Sequence, residues 1–497
     1  MEPFTVPFGR RGRKAKRWGR APVRATFDLA DPSGAALGFA SSMPLPAPDS
    51  RPAQSNYRWV ICGLLFFSTT VNYMDRQVIS YLKEYFCRSE ALGGFGWSNS
   101  DFSYLTSFFT GFYACATLVA GWMVDKIGTK LGLALSLIVW SIFGIANAFV
   151  GRMVAMHVAV RSFFAVGEAG NFPASIKTVA EWFPKRERAL ATAIFNSGTS
   201  AGAMIAAVFV PFCMIHWGDA RGWKMAFILT GSAGFIWLIF WFWLYDTPAR
   251  QQRLSQAEYD YIHVDDETVG DKQTGDQTAK VKWSRLFTYR QLWAFIVGKF
   301  MTDGIWWFYL FWLPDYLLKQ FGMNKSQIML PTFVVYGVAI VGSIYGGRVP
   351  MMLIRRGMPV YRARMSTMLF IAFFPLAVLL TQYFGDVARF GHMAAGLSIA
   401  MICIGATAHQ AWSANLFTTV SDMFPKRAVG SVIGIGTMAG GIGGVTVQLL
   451  AGKLTDFYAA TPQTAYLFMF IVCALSYGVA WTLMKLLVPR HKPITDL

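Results

Sequence analysis

Val71-Asn72-Tyr73-Met74-Asp75-Arg76-Gln77 lies inside an apolar run from Trp59 to about Leu82. At about 1.5 Å rise per residue, such a run is long enough to span a bilayer. An acid beside an arginine near the middle of a span is expensive, roughly 2.5–3.5 kcal/mol for each residue on insertion scales. The pair is therefore a candidate functional site with partners elsewhere in the chain. Adjacent helical residues point about 100° apart. Tyr73, Arg76 and Ser80 then share one stripe, and Asn72, Asp75 and Ile79 another. One stripe can face a cavity while the other meets a second helix. The plainer alternative is a self-neutralising pair turned to an interface.

Of the 497 residues, 54% are apolar and 14% charged, where soluble domains carry about 25% charged residues. The chain reads as a membrane protein, with the lipid bilayer as its surroundings. A net charge of +18 would suggest nucleic acid in a soluble protein, but here it is the excess expected of cytoplasmic loops. No nucleic-acid partner is expected. Cys62, Cys115, Cys213, Cys403 and Cys473 fall in or at the ends of apolar spans, and Cys87 falls in a loop. No cysteine has zinc or CxxC spacing, so neither a metal site, nor a disulfide framework, nor a cofactor is expected.

Residues 1–56 read as a disordered basic tail, rich in Pro, Ser, Gly, Ala and Arg. No apolar h-region follows its charges, which excludes a secretory signal. The tail also resembles an organellar transit peptide, and Met43 offers an internal start. Twelve apolar spans follow, at roughly 57–82, 101–124, 129–149, 154–182, 187–214, 222–245, 289–318, 326–354, 363–383, 391–421, 427–455 and 463–488. Lys and Arg of the short loops crowd one side, with Lys126, Lys130, Arg188, Arg355 and Arg364 among them. That bias puts both termini in the cytoplasm. A polar middle loop over 246–288 separates a six-span bundle at 57–245 from a second at 289–497. Phe183-Pro184-Lys185-Arg186 before span 5 recurs as Phe424-Pro425-Lys426-Arg427 before span 11. Matched segments in two six-helix halves mark parallel-repeat transporters, which bind substrate at the midplane between the halves. Gly198 and Gly202 in span 5, and the glycines from Gly434 to Gly444 in span 11, would let helices approach and slide.

Span 2 ends in Gly121-Trp122-Met123-Val124-Asp125-Lys126-Ile127-Gly128-Thr129-Lys130. This resembles the Gly-x-x-x-Asp-(Arg/Lys)-x-Gly-x-(Arg/Lys) loop of the major facilitator superfamily. The resemblance implies an all-α membrane protein with 12 transmembrane helices in two pseudo-symmetric six-helix bundles. It also implies that Asp125, Lys126 and Lys130 latch the cytoplasmic helix ends, a gating role rather than a substrate contact. Asp125 sits at a helix end, where partners and dipoles can change with conformation.

Span 4 contains Arg161-Ser162-Phe163-Phe164-Ala165-Val166-Gly167-Glu168-Ala169-Gly170-Asn171-Phe172-Pro173. Arg161 and Glu168 are two turns apart and share a face. With Asp75 and Arg76 they make two acids and two bases in one half, balanced when all are ionised. A bound monoanion would leave one uncompensated negative charge in low dielectric, which favours proton uptake. The charge count implies proton-coupled anion symport; a purely structural network is the alternative. Asn72-Tyr73-x-Asp75-Arg76-Gln77, Gly167 to Pro173 and Glu181-Trp182-Phe183-Pro184 resemble the anion:cation symporter family, most of all its bacterial hexuronate transporters. Trp306 to Pro314 and His409 to Phe417 extend the resemblance to about 57–490. It implies that Arg76 holds the substrate carboxylate, that Asp75 and Glu168 carry protons, and that Tyr73 and Tyr113 line the site. Thr199 stands about where the family's sugar-acid carriers have Gln, a departure that favours a uronate over galactonate.

The second half supplies the sugar end. Arg76 offers a bidentate fork to a planar carboxylate. Trp306, Trp307 and Trp412 suit the C–H faces of a pyranose, and Gln410 and Asn415 its hydroxyls; any of these aromatics could equally serve packing. His409 reads as a hydrogen-bonded interior histidine, Lys299 and Asp303 as an intrahelical pair, and Lys177 as a snorkelling lysine. Arg161 joins Asp75 and Glu168 in the proton-coupling set. The expected function is proton-coupled uptake of hexuronates, glucuronate or galacturonate, by a monomer in the bacterial inner membrane. The alternatives are another organic anion, an aldonate or aromatic acid, or a sensor of transporter descent. No span pairs a nucleophile with a base, and there is no nucleotide-binding loop, so an enzyme or an ATP-driven pump is not expected.

Overall fold

Every regular element is a helix among the residues that the computed structural model describes, which are 55–267, 283–490 and 494. They belong to one compact unit, Arg51–Leu497. The expected basic tail lies outside the described residues apart from its last two positions, as does 268–282 of the middle loop.

The chain runs through α1 (Tyr57–Cys87), α2 (Asn99–Ile127), α3 (Thr129–Ala146), α4 (Val154–Glu168), α5 (Asn171–Trp182), α6 (Lys185–His216) and α7 (Gly218–Leu244). Two short helices follow, α8 (Gln256–Glu267) and α9 (Trp283–Leu286). Then come α10 (Arg290–Phe321), α11 (Met329–Arg355), α12 (Val360–Phe373), α13 (Thr381–Phe384), α14 (Val387–Phe390), α15 (Ala394–Met423), α16 (Lys426–Phe457) and α17 (Pro462–Leu487). With α4 and α5 taken as one broken rod, and α12 joined to α13 by a 3-10 segment, twelve rods cross back and forth among the described residues.

The ends of these helices follow from local chemistry. Ser98 and Asp101 form a reciprocal cap at the start of α2, each side chain accepting from the other's backbone N–H. The matched segments start α6 and α16, each directly after its proline. The sequence predicts one continuous span over 154–182, but the structure breaks it at Ala169 and Gly170. Pro173 has no N–H to return to the carbonyl one turn earlier, which interrupts the helix there. Cys87, expected in a loop, is instead the last residue of α1 and half-buried. Within the expected middle loop, α8 lies on the start of α1, where Glu258 accepts from the N–H groups of Tyr57 and Arg58 at 2.9 and 3.1 Å.

α1 packs on α5, α6 and α7, and α3 on α4 and α7; in the later part α10 packs on α15, α16 and α17, and α11 on α15. Between these groups α2 meets α16, α6 meets α11 and α1 meets α10. Close approach is permitted by small residues. A Cβ on Gly202 would lie 2.3 Å from the Thr70 carbonyl oxygen of α1. Large apolar side chains such as Phe67, Trp122, Phe149, Ile239 and Trp243 point outward.

Nine helical segments among the described residues are long and apolar enough to cross a membrane. The rods that fall short are α1, α4–α5 and α10. These are the rods that carry Asp75, Arg76 and Lys83, then Arg161 and Glu168, then Lys299, Asp303 and Asp315. α1 begins, and α17 ends, on the face that also carries Lys126, Lys130 and Arg364, the basic face. α1 ends on the opposite face.

Candidate functional site

α1 brings Arg76 to the seam with α10 and buries it. Its Nε donates to Glu168 Oε2 of α4 at 2.9 Å. Its guanidinium carbon lies 4.5 Å from the ring centroids of both Tyr73 and Tyr113, 5.3 Å from Trp307 and 5.4 Å from Phe109. Four rings thus enclose the cation, and the seam between the two groups of helices runs through them, since Trp307 belongs to α10. One guanidinium nitrogen, Nη2, has no protein partner. A planar donor edge left free inside an aromatic box suits a carboxylate, with the rings supplying cation–π support to the arginine.

The other stripe of α1 faces inward to its own group. Asp75 is buried beside Trp140 of α3 and Thr230 of α7, and neither carboxylate oxygen makes a hydrogen bond of ordinary geometry. Arg76 therefore pairs with Glu168 and not with its neighbour Asp75. Arg161, also buried, donates to the backbone carbonyl of Arg76 at 3.2 Å and stacks on Phe164 at 4.5 Å. Its Nε and Nη1 are unpartnered, as are Glu168 Oε1 and both polar atoms of the Asn72 side chain. The four expected charges are together in one buried cluster around α1 and α4.

The second-half residues divide. Trp307 stands at the box, and its carbonyl accepts from Gln448 Nε2 at 3.1 Å. Trp306 is half-buried and stacks on His409 at 5.2 Å with 7° between planes, while His409 hydrogen-bonds the Tyr477 hydroxyl at 2.8 Å. Gln410 is half-buried. Trp412 is fully buried, edge-on to Tyr477 of α17 at 5.5 Å. Asn415 donates to the Gly346 carbonyl of α11 at 2.8 Å and to Ala411 at 2.9 Å. These contacts of Trp412 and Asn415 join helices of the later group, while Trp412 Nε1 and Asn415 Oδ1 have no protein partner. Lys299 and Asp303 pair at 2.5 Å, with Lys299 also 4.3 Å from the Phe417 ring. A Cβ on Gly444 of α16 would lie 2.8 Å from Trp307 and 2.9 Å from Thr110, so this glycine lets α16 close against the box.

At the basic face, the side chain of Asp125 lies outside the described residues. Lys126 is exposed over Trp122 at 4.4 Å, and Lys177 donates to the Val124 carbonyl at 3.1 Å. Lys130 pairs with Asp246 at 3.1 Å. Burial opposes the Asp246 charge, but the Thr247 N–H and Lys130 hold its carboxyl below the ordinary carboxylate range. These contacts stay within the first group of helices.

Sequence reasoning missed a second charged cluster. Lys83, buried in α1, pairs with Asp315 of α10 at 2.8 Å and donates to Asn99 of α2 at 2.6 Å. Asp315 also meets Lys319 at 3.1 Å and accepts from the Tyr466 hydroxyl. Asp456 of α16 accepts from the Asn99 and Ser100 N–H groups at 2.9 and 2.7 Å. Hydrogen bonds and ion pairs between described side chains of the two groups lie from the level of Arg76 to the opposite face. The signal was available: Lys83 continues the stripe of Arg76 one residue past the apolar run, and Asp315 lies inside the span expected at 289–318.

Residues 65–448 match the Major Facilitator Superfamily. The chain belongs to that superfamily. Over 434 residues it is 29% identical to the hexuronate transporter of Escherichia coli (strain K12), covering 86% of this chain and 94% of that protein. The D-galactonate transporter of Escherichia coli O6:H1 is 26% identical, covering 88% of this chain and 97% of that protein. Among solved structures, the D-xylose–proton symporter superposes with a TM-score of 0.66 at 14% identity, over 88% of this chain and all of that one. A bacterial homologue of the lysosomal transporter Spinster gives 0.66 at 15% identity, over 87% of this chain and 98% of that one. The protein is thus a multi-pass inner-membrane member of a transporter superfamily, similar to carriers of sugar acids.

Proposed function

We propose that this facilitator couples protons to the uptake of hexuronates, glucuronate or galacturonate, by alternating access. The observation that carries the reading is the free Nη2 edge of Arg76, held by Glu168 within Tyr73, Tyr113, Phe109 and Trp307 at the seam. A uronate places its carboxylate on that edge and a C–H face of its ring against Trp307, with Trp306 and Gln410 beyond. Asp75, Glu168 and Arg161 form the proton-coupling set: an anion arriving on Nη2 shares the charge of Arg76 with Glu168 on Nε, and a proton taken up by one of the acids restores the balance. Residues 57–245 and 289–490 rock as two six-helix bundles around this site, with the basic face in the cytoplasm and the Asp125–Lys130 loop as its latch. The similarity to a hexuronate transporter supports the substrate class.

The test is uptake of labelled glucuronate, galacturonate, galactonate and glucarate into proteoliposomes, with and without an inward proton gradient. Gradient-driven accumulation of the uronates is expected. Accumulation of galactonate or glucarate in their place would reassign the substrate, and uptake indifferent to the gradient would remove the coupling.

A further inference from the structure

Arg76 and Lys83 lie seven residues apart on α1, two turns and about 10 Å along one face. Both look into the same seam. Trp307 of α10 stands 5.3 Å from Arg76, and Trp312, a little over one turn further along α10, stands 4.6 Å from Lys83. Lys83 therefore lies in that seam between Arg76 and the opposite face. A cavity of about 740 Å³ lies at the opposite-face end of the seam. Cys87, Arg88, Asp315, Lys319 and Lys325 line it, so both groups of helices contribute to its wall.

The ion pair between Lys83 and Asp315, whose acid lines this cavity, is asymmetric. Asp315 has partners in its own group, Lys319 at 3.1 Å and the Tyr466 hydroxyl. If α10 withdraws from α1, this acid remains provided for. Lys83 keeps only the Asn99 amide oxygen, at 2.6 Å on α2. The neighbouring acid Glu84 is held by Arg88 at 2.7 and 2.8 Å. Opening the face thus leaves a cation beside an amide in the mouth of the path, with no acid of its own. A lysine in that position attracts an anion, and a carboxylate is the anion for which the deeper Arg76 is shaped.

We propose that Lys83 is a carboxylate-admitting site of the outward-open carrier, and that Asp315 takes the place of the substrate carboxylate when that face closes. One residue then serves two steps. It draws the anion in two turns from Arg76, and once the anion has moved down, the released Lys83 recruits Asp315 and seals the path behind it. This rests on the transport reading above.

Right-side-out vesicles carrying the parent, Lys83→Gln, Lys83→Arg and Asp315→Asn, each with Cys115→Ser to remove the exposed thiol, separate the site from the seal. Two quantities are read: the uptake KM for the transported uronate, and the rate at which a membrane-impermeant maleimide modifies Cys87. Lys83→Gln and Asp315→Asn both break the pair, so both are expected to speed Cys87 modification several-fold. Their KM values are expected to move in opposite directions. Asp315→Asn enlarges the outward-open population and leaves KM unchanged or lower. Lys83→Gln loses the admitting charge and raises KM by about ten-fold, while Lys83→Arg stays within about two-fold of the parent. Equal or lower KM in both neutral variants would reduce Lys83 to a seal and overturn the site. Unchanged Cys87 modification in both would overturn the seal. Should the parent show no uronate uptake, the transport reading fails by itself. Cys87 then still reports: free glucuronate should slow its modification in Asp315→Asn but not in Asp315→Asn with Lys83→Gln, and equal protection would overturn the site.

Discussion

α1 carries two buried cations two turns apart, and their surroundings are opposites. Around Arg76 polar atoms outnumber partners: both oxygens of Asp75, one of Glu168, two nitrogens of Arg161 and one of Arg76 have no protein partner. Around Lys83 the charges are matched: the lysine has Asp315 and Asn99, and Asp315 has two lysines and a tyrosine. A buried polar group without a partner costs about 1–3 kcal/mol, so the first cluster is a liability to stability that a ligand or proton can relieve. The second is a filled network of the kind that fixes an arrangement. Function and closure are thus divided along one helix by how completely its charges are satisfied.

The largest expected effect falls on the unsatisfied end. Arg76→Lys removes the planar fork while keeping the charge, and should lower uptake kcat/KM by about 100-fold, with Arg76→Gln lower still. Initial-rate uptake measures this, and a near-parent KM in Arg76→Lys would mean that the carboxylate is held elsewhere. Next comes coupling. Glu168→Gln imitates the protonated acid, so it should retain counterflow exchange but lose accumulation against a gradient in the same vesicles. Accumulation equal to the parent would move the proton to another group, with Asp303 the first to examine.

Stability should show the contrast in reverse. Asp315→Ala strips a buried lysine of its acid and is expected to cost about 3–5 kcal/mol. Asp75→Asn removes a buried charge whose oxygens make no hydrogen bond of ordinary geometry, and should not lower the thermal unfolding temperature in detergent. Equal losses in the two variants would erase the distinction between the clusters. The smallest effect belongs to the basic face, where α8 caps α1. Burial works against the Glu258 charge, but Ser55, Arg58 and two backbone N–H groups hold its carboxyl below the ordinary 4.5. A depressed folded value means that the stabilisation is complete above that ordinary value and fades as pH falls through the folded one. Protection factors of the Tyr57 and Arg58 amides should be flat from neutrality to about pH 5 and drop only in stronger acid. Fading nearer neutrality would show that the cap is not ionic.

Much of this was legible because charge inside an apolar run is so costly. Asp75, Arg76, Arg161 and Glu168 stand out from their spans, and the structure gathers all four. Pairing was less legible. Periodicity places Arg76 and Asp75 on different stripes, but it does not say which arginine Glu168, the one acid of α4, reaches. Trp412 and Asn415 show the other limit. An aromatic and an amide on one helix read the same whether they face a sugar or a neighbouring helix; in the structure Trp412 packs edge-on to Tyr477 and Asn415 donates to the Gly346 carbonyl. Lys83 was passed over because it sits just beyond the apolar run, where a lysine ordinarily reaches water. Its burial depends on Asp315, far along the chain.

Three rods do not qualify as membrane spans by themselves, α1 and α10 for their charges and α4–α5 because it is broken into two short helices, and this bears on how the protein is made. A translocon releases a segment sideways when its own apolarity suffices, and central Asp, Arg or Lys each work against release by about 2.5–3.5 kcal/mol. Among the described rods α1 leaves the ribosome first, yet the acid that neutralises Arg76 follows 92 residues later. At about 5–20 residues per second that is a wait of seconds. α1 must therefore be retained beside the insertion machinery, or in the company of α2 and α3, until α4 arrives. α10 meets the same obstacle with its partner Lys83 already in place, so the second half enters a bilayer in which one of its counter-charges is waiting.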